Sequence, residues 1–229
     1  MRCCRDQSRD CRADNNASEL FRGGQREQVS ATRLVWHGMM RRRSFIVCLV
    51  GLATLSTRSV FATNNVSLAE LAKPGRVLML RHAFAPGTGD PPGFRLSDCA
   101  TQRNLDEAGR AQARELGERL AAAGIGRATV YSSQWCRCLE TARLLQLGEV
   151  TALPALNSFF SRPQDRQARV SALQAFLAGL PVAGQPVVLV THQVTINAFA
   201  DAGVPSGGGS IFQLNGSGSP RWLGSIAAP

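Results

Sequence analysis

Histidine is scarce in this chain, and its scarcity leaves few candidate metal ligands. The 229 residues contain three histidines, His37, His82 and His192, and the seven cysteines form no paired CxxC motifs near a histidine cluster. Structural zinc sites take four Cys or His ligands that are commonly grouped in such short motifs. We therefore expect no metal site in this protein.

Long apolar runs are also missing. The run at residues 45–55 has eleven residues, well short of the ~20 that a membrane-spanning helix needs. It follows three arginines, Arg41, Arg42 and Arg43, and it leads to the sequence Val-Phe-Ala at residues 60–62. A basic segment, an apolar segment and a small-residue exit are typical of a secretory signal peptide. We predict a signal peptide at residues 39–62, cleaved after Ala62, and no stable membrane span.

The segment before this signal is polar, rich in arginine and without a periodic apolar face. Residues 1–38 fit two interpretations: a disordered basic leader, or sequence upstream of a true start at Met39 or Met40. The pair Arg42 and Arg43 resembles the twin-arginine export signal, and the sequence leaves the export route open. We expect one folded domain at residues 63–229, in the periplasm or secreted.

Positive charge is concentrated outside the expected domain. The formal net charge is +10, but 11 of the 26 basic and 5 of the 16 acidic residues precede Thr63, which leaves +4 for the rest. This charge is too small to indicate electrostatic steering of nucleic acid, and no aromatic and basic platform is present. We expect no nucleic-acid partner, whereas a small phosphorylated ligand remains compatible with the sequence.

Short apolar strands alternate with amphipathic helices in the expected domain. Each predicted strand is an apolar run bounded by polar or turn residues. These strands lie at 77–80, 128–131, 151–156 and 187–190. Apolar spacing predicts helices at 107–123, 136–146, 165–180 and 194–202, and the chain ends in a hairpin of 210–214 and 221–226. This alternation predicts an α/β fold: a single-domain three-layer sandwich, with a mostly parallel central sheet and helices on both faces.

Two of the predicted strands end at a histidine. His82 follows Arg81 directly after the first strand, and His192 lies one residue beyond the strand at 187–190. Because parallel strands end at one edge of a sheet, both imidazoles should face one crevice, and Arg137 should join them from beyond the strand at 128–131. Guanidinium groups bind phosphoryl oxygens in a bidentate manner, and an imidazole can serve as a nucleophile. The sequence therefore predicts a phosphate site.

Four motifs in this arrangement resemble those of a known family. Leu-Arg-His-Ala at residues 80–83 resembles the Arg-His-Gly signature of the histidine phosphatase superfamily, which includes phosphoglycerate mutases and acid phosphatases. Residues 105–113, 132–142 and 190–192 resemble the other sequence motifs of this superfamily, and they occur in the same order along the chain. The resemblance implies that His82 becomes phosphorylated, that Arg81, Arg137 and His192 hold the phosphoryl oxygens, and that no metal or other cofactor takes part.

The chain departs from this family where an acid should protonate the leaving group. Many relatives have a Glu or Asp after the third strand, where this chain has Asn157, and Gln193 replaces the acid that follows the second histidine in acid-phosphatase-like relatives. Either another acid supplies the proton, with Asp98 and Asp165 as candidates, or water does so. An Asx-turn for Asp98 and a helix N-cap for Asp165 are simpler roles for these two residues.

The loop at residues 84–103 should form much of the pocket wall. Within it, Arg95 and Arg103 are candidates to bind a second anionic group, and a solvated loop charge is the alternative for each.

Three cysteines, Cys99, Cys136 and Cys138, fall in the expected domain. An oxidising compartment permits one disulfide, and Cys136 and Cys138 are too close in sequence to pair, so we expect Cys99 to pair with one of them.

The predicted function is that of an exported phosphomonoesterase, a hydrolase that forms a phosphohistidine at His82. Its substrate would be a small phosphorylated molecule or a phosphorylated cell-envelope glycan. A phosphate-binding pseudoenzyme without efficient turnover and a phosphomutase are the alternatives.

Overall fold

Six strands form one mixed sheet in the computed structural model, which describes residues 64–200 and 202–229. The strands are β1 (Arg76–Arg81), β2 (Thr129–Ser132), β3 (Val150–Ala152), β4 (Val187–Thr191), β5 (Gly209–Gln213) and β6 (Arg221–Ile226). Their spatial order is β3-β2-β4-β1-β5-β6. The first four in this order are parallel, and β5 and β6 add an antiparallel hairpin on the β1 side. The predicted leader and signal peptide lie outside the described residues.

Helices follow the strands in the order that the sequence predicts. The α-helices are α1 (Glu107–Ala122), α2 (Cys136–Leu144), α3 (Arg166–Ala178) and α4 (Gln193–Ile196). The first three begin and end within two residues of their predicted bounds, whereas α4 is shorter than expected. The extended segment predicted at 151–156 is a three-residue strand followed by the 3₁₀ turn Pro154–Leu156. Pro154 has no N–H for a sheet hydrogen bond, so the strand ends before it.

Strand β1 is buried on both faces, and its alternating side chains divide the core in two. Leu78 and Leu80 pack in one cluster with buried residues of α1 and α2, such as Leu116 and Ala142. Val77 and Met79 pack in a second cluster on the other face, with Leu173 and Leu177 of α3. Because successive side chains of a strand point to opposite faces, these clusters confirm a three-layer α/β sandwich.

The register of β1 and β4 brings the two predicted histidines to the same edge. Arg81 pairs with Thr191 in this parallel ladder, and the backbone N–H of His82 donates to the carbonyl oxygen of Thr191 at 3.0 Å. His82 and His192 therefore leave neighbouring strands at the same level.

A disulfide attaches the long loop after β1 to helix α2. It joins Cys99 to Cys136, with a Cα–Cα distance of 5.7 Å, and Cys138 stays a buried free thiol. The predicted pairing of Cys99 with one of these two cysteines is confirmed, and the structure identifies the partner.

Within residues 64–200 and 202–229, no helix has both the length and the apolar character that crossing a bilayer requires.

Candidate active site

A cavity of about 290 Å³ opens at the carboxyl ends of β1 and β4. Four of the residues that the sequence predicts for the site line it: Arg81, His82, Arg137 and His192. The ring centroids of the two histidines lie 5.6 Å apart. The structure therefore brings these four side chains together around a volume that suits a small ligand.

His82 is held as a neutral imidazole with one nitrogen directed toward the site. Its Nδ1 lies 2.7 Å from the carbonyl oxygen of Ala83, which can only accept, so Nδ1 carries the proton. Nε2 keeps its lone pair, toward which the Nε–H of Arg137 points at 3.3 Å. Burial, and then the positive charge of Arg137, lower the pKa of His82 to about 3. The ring is consequently uncharged and nucleophilic at neutral pH.

Arg137 lies in the first turn of α2 and is almost completely buried. Thr141, one turn later, ties this helix to β1: its hydroxyl donates to the carbonyl oxygen of Arg137 at 2.7 Å and accepts from the N–H of Ala83 at 3.0 Å. These two contacts give Thr141 a supporting role.

Arg81 is oriented by groups at the end of β4 and beyond it. One of its terminal nitrogens donates to the carbonyl oxygen of Val204 at 3.0 Å and to the side-chain oxygen of Gln193 at 3.3 Å. Its Nε is buried without a hydrogen-bond partner among the described residues. A phosphoryl oxygen would satisfy that donor, because guanidinium N–H groups match phosphate geometry.

His192 is fixed from beneath the cavity. Its Nε2 lies 2.9 Å from the hydroxyl oxygen of Ser133, and burial, followed by the proximity of His82 and then of Arg137, lowers its pKa well below the usual range. Ser133 also donates to the side-chain oxygen of Asn157 at 3.2 Å. Asn157, at the position of the acid in many relatives, is thus a buried structural group that does not line the cavity.

Asp90 is a cavity residue that the sequence reasoning missed. Its carboxylate accepts from both terminal nitrogens of Arg137, at 2.7 and 3.2 Å, from the indole N–H of Trp135 at 3.0 Å, and from the backbone N–H of Arg103 at 3.1 Å. The only sequence signal was an acid eight residues after His82, in a loop of glycines and prolines. Nothing local to that loop indicates that it folds back onto α2.

Two other predicted site residues lie elsewhere. Asp98 accepts from the N–H of Ala100, where it caps the short 3₁₀ segment Cys99–Thr101, and its side chain forms an exposed ion pair with Arg95. Neither residue lines the cavity, whereas Arg103 does. Asp98 and Arg95 are therefore outside the group of side chains that the structure brings together around the cavity.

Asp165 precedes α3 as predicted, but its side chain makes no capping hydrogen bond and instead pairs with Arg162.

In the described part of the chain, no group of three or more His, Cys, Asp or Glu side chains is arranged to hold a metal ion.

Comparison with known families agrees with this geometry. Residues 77–161 match the profile of the histidine phosphatase superfamily (branch 1). The matched segment includes Arg81, His82 and Arg137, and His192 follows on β4. This segment of the chain is therefore similar to the histidine phosphatase superfamily. No curated protein sequence matches it significantly.

Solved structures with a TM-score of 0.50 or more share the fold at low sequence identity. Mycobacterial hydrolase 1 is 18% identical, with a TM-score of 0.51, and the match covers 69% of this chain and all of the other. The protein histidine phosphatase SixA, solved with tungstate, is 16% identical, with a TM-score of 0.50 and coverages of 66% and 96%. A SixA protein from Agrobacterium tumefaciens is 24% identical over 69% of this chain and all of its own, with a TM-score of 0.49.

Proposed function

We propose that this protein is a phosphatase that hydrolyses phosphate monoesters through a phosphohistidine at His82. The observation that carries the proposal is the state of His82: a neutral ring with an unprotonated Nε2, in a cavity lined also by Arg81, Arg103 and Arg137. Phosphoryl transfer depends mainly on positioning and on positive charge around the phosphoryl oxygens. This cavity supplies both.

The reaction has two steps. Nε2 of His82 attacks phosphorus while Arg81, Arg137 and His192 hold the phosphoryl oxygens, and the bond from phosphorus to the ester oxygen breaks. Water then attacks the phosphohistidine, so that the phosphorus–nitrogen bond breaks and inorganic phosphate leaves.

Replacing the nucleophile tests the proposal. His82→Asn should lower hydrolysis of an aryl phosphate by roughly 10³-fold or more, because the covalent route is lost. Wild-type protein quenched during turnover of labelled substrate should carry acid-labile phosphate, and the variant should carry none. Arg137→Gln should also be strongly impaired, whereas Arg143→Gln, which changes an exposed residue of the same helix, should keep full activity.

The alternatives give different results in the same assay. Binding of vanadate or phosphate without turnover of any phosphate ester would favour a phosphate-binding pseudoenzyme. Transfer of label to a second hydroxyl of the substrate, in place of water, would favour a mutase.

The cavity wall suggests which substrates to screen. Phe94, Trp135 and Phe160 line it beside the cationic groups, and aromatic faces suit a ring with an apolar side, such as a sugar. We therefore include small phosphorylated sugars and phosphorylated cell-envelope glycans in the proposed substrate class. A panel of phospho-sugars, nucleotides and phospholipid head groups would rank these candidates.

Export belongs to the same proposal. A disulfide between Cys99 and Cys136 is expected where the compartment is oxidising, which supports a periplasmic or secreted location. The signal-like sequence at residues 39–62 supports it independently.

A further inference from the structure

The proposed reaction requires a proton for the departing oxygen, and the two usual positions cannot supply it. Asn157 is an amide that is 2% exposed and is hydrogen-bonded to Ser133 and Gln134. Gln193 is an amide whose oxygen accepts from Arg81. Neither side chain has a proton that it can give to an alkoxide at neutral pH.

The other titratable groups around the cavity are unsuitable as well. His82 is the nucleophile, and the low pKa of His192 leaves it without a proton to spare at neutral pH. The arginines hold their protons too tightly to act as acids. Asp90 is the single carboxyl group among the residues that line the cavity in the described part of the chain.

Asp90 is also placed close to the nucleophile. Its carboxylate bonds the terminal nitrogens of Arg137, and the Nε of the same guanidinium points at Nε2 of His82. The acid and the nucleophile thus lie on two sides of one planar group. The Asp90 side chain is only 8% exposed, so its protonation is governed by its neighbours and only weakly by bulk water.

We propose that Asp90 is the catalytic acid that protonates the leaving group, and that the bound phosphoryl group of the substrate converts it to the protonated form. This inference rests on the proposed phosphatase activity. It assigns the acid to the loop after β1, which is a different element from those that bear Asn157 and Gln193.

The free and the substrate-bound sites differ in charge around Asp90. In the free protein, burial raises the pKa of Asp90, but the opposing hydrogen bonds and charge of Arg137, with the N–H groups of Arg103 and Trp135, prevail and lower it. Arg81 and the side chain of Arg103 line the same cavity. A phosphate dianion would neutralise these cations and add like charge beside the carboxylate, and both effects raise its pKa.

The proton balance follows from this switch. When the phosphorus–oxygen bond of the ester breaks, the electron pair stays on the leaving oxygen, and the carboxyl proton of Asp90 passes to it, which gives the neutral alcohol and the carboxylate. In the second step this carboxylate takes the proton of the attacking water. Asp90 is then protonated again. It keeps this proton for the next turnover or loses it to solvent as phosphate leaves.

Leaving-group dependence distinguishes an acid from a residue that only positions Arg137. Asp90 also serves the second step, which all esters share, so the first step is followed as release of the leaving group in a single turnover. For Asp90→Asn we expect this rate for an alkyl phosphate to fall by about 10²–10⁴-fold, because a poor leaving group needs protonation. For nitrophenyl phosphate, whose leaving group departs unassisted, the fall should be less than about 10-fold. Asp98→Asn, which changes the competing acid of the same loop, should show no such selectivity.

The wild type provides a second test that needs no variant to fold. The single-turnover rate of leaving-group release from the alkyl ester should fall at high pH as the bound-state acid ionises, while the rate for nitrophenyl phosphate should not. Equal losses for both esters in Asp90→Asn, selective loss in Asp98→Asn, or parallel pH profiles would each overturn the inference and leave the phosphatase proposal standing. Failure of the wild type to hydrolyse either ester would overturn the phosphatase proposal itself.

Discussion

At the scale of single residues, the site is defined by ionisable groups that burial keeps in one form. His82 and His192 are each less than 5% exposed, and burial is the first cause of the low pKa of both rings. A buried imidazolium loses its hydration, and the positive charge of the nearby arginines destabilises it further. The same environment that prepares His82 for attack therefore makes the folded state sensitive to acid.

This sensitivity gives a stability prediction with a definite sign. The pKa of His82 is about 3 in the folded protein, below the value of about 6.5 for an unfolded chain. Between these values the unfolded state binds more protons, so the free energy of unfolding should fall as pH falls, by up to about 1.4 kcal/mol per pH unit for each such imidazole. Urea unfolding at pH 7, 6 and 5 would measure the slope.

His82→Asn is the matched control, since it removes one of the two buried imidazoles and keeps the other. Its stability should decrease less steeply with falling pH. Equal slopes for variant and wild type would show that folding does not lower the pKa of His82.

At the scale of elements, helix α1 is pressed against the turn that carries His82. A Cβ atom on Gly109 of α1 would clash with the carbonyl oxygen of Phe84, two residues after His82. No side chain can occupy that space unless the backbone moves. The absence of a side chain at Gly109 therefore lets the helix support the turn.

Gly109→Ala should destabilise the protein by about 1–3 kcal/mol, because the strain exceeds the gain of about 1 kcal/mol in helix propensity. Phosphatase turnover should fall as well, since the turn at residues 82–84 must shift. Gly126→Ala is the control, because a Cβ there meets nothing within 4 Å, and its effect should stay within about 0.5 kcal/mol. A Gly109→Ala variant with wild-type stability and turnover would contradict this packing.

The long loop after β1 shows where prediction from local sequence ends. Its prolines and glycines correctly predicted little regular structure and a place in the pocket wall, but they did not distinguish Asp90 from Asp98. That choice depends on how the loop crosses α2, to which the Cys99–Cys136 disulfide and the hydrogen bonds of Asp90 attach it. Both attachments join residues more than thirty positions apart, which no local pattern encodes.

At the scale of the whole molecule, the export proposal predicts that cleavage of the signal peptide leaves a mature chain shorter than the gene product. Protein recovered from the cell envelope or medium should begin at Thr63, as N-terminal sequencing would show, because the cleavage site follows Ala62. Peptide mapping should find Cys99 linked to Cys136. Reduction of this bond should lower stability by about 2–4 kcal/mol, since a loop of 37 residues is released.

Replacing Arg42 and Arg43 by lysine would then separate the two export routes, because the twin-arginine route alone depends on that pair. Recovery of an intact chain that begins before residue 39 in the cytoplasm, with free Cys99, would contradict the export proposal.

The sequence by itself determined the α/β layers and the four residues Arg81, His82, Arg137 and His192, because strand ends in a parallel sheet meet at one edge and side-chain periodicity fixes the faces. Only the tertiary structure decided which carboxylate enters the cavity, which cysteine pairs with Cys99, and that His82 is neutral with its Nε2 unprotonated. Those features come from burial and from contacts between distant segments, and both exist only once the chain is folded.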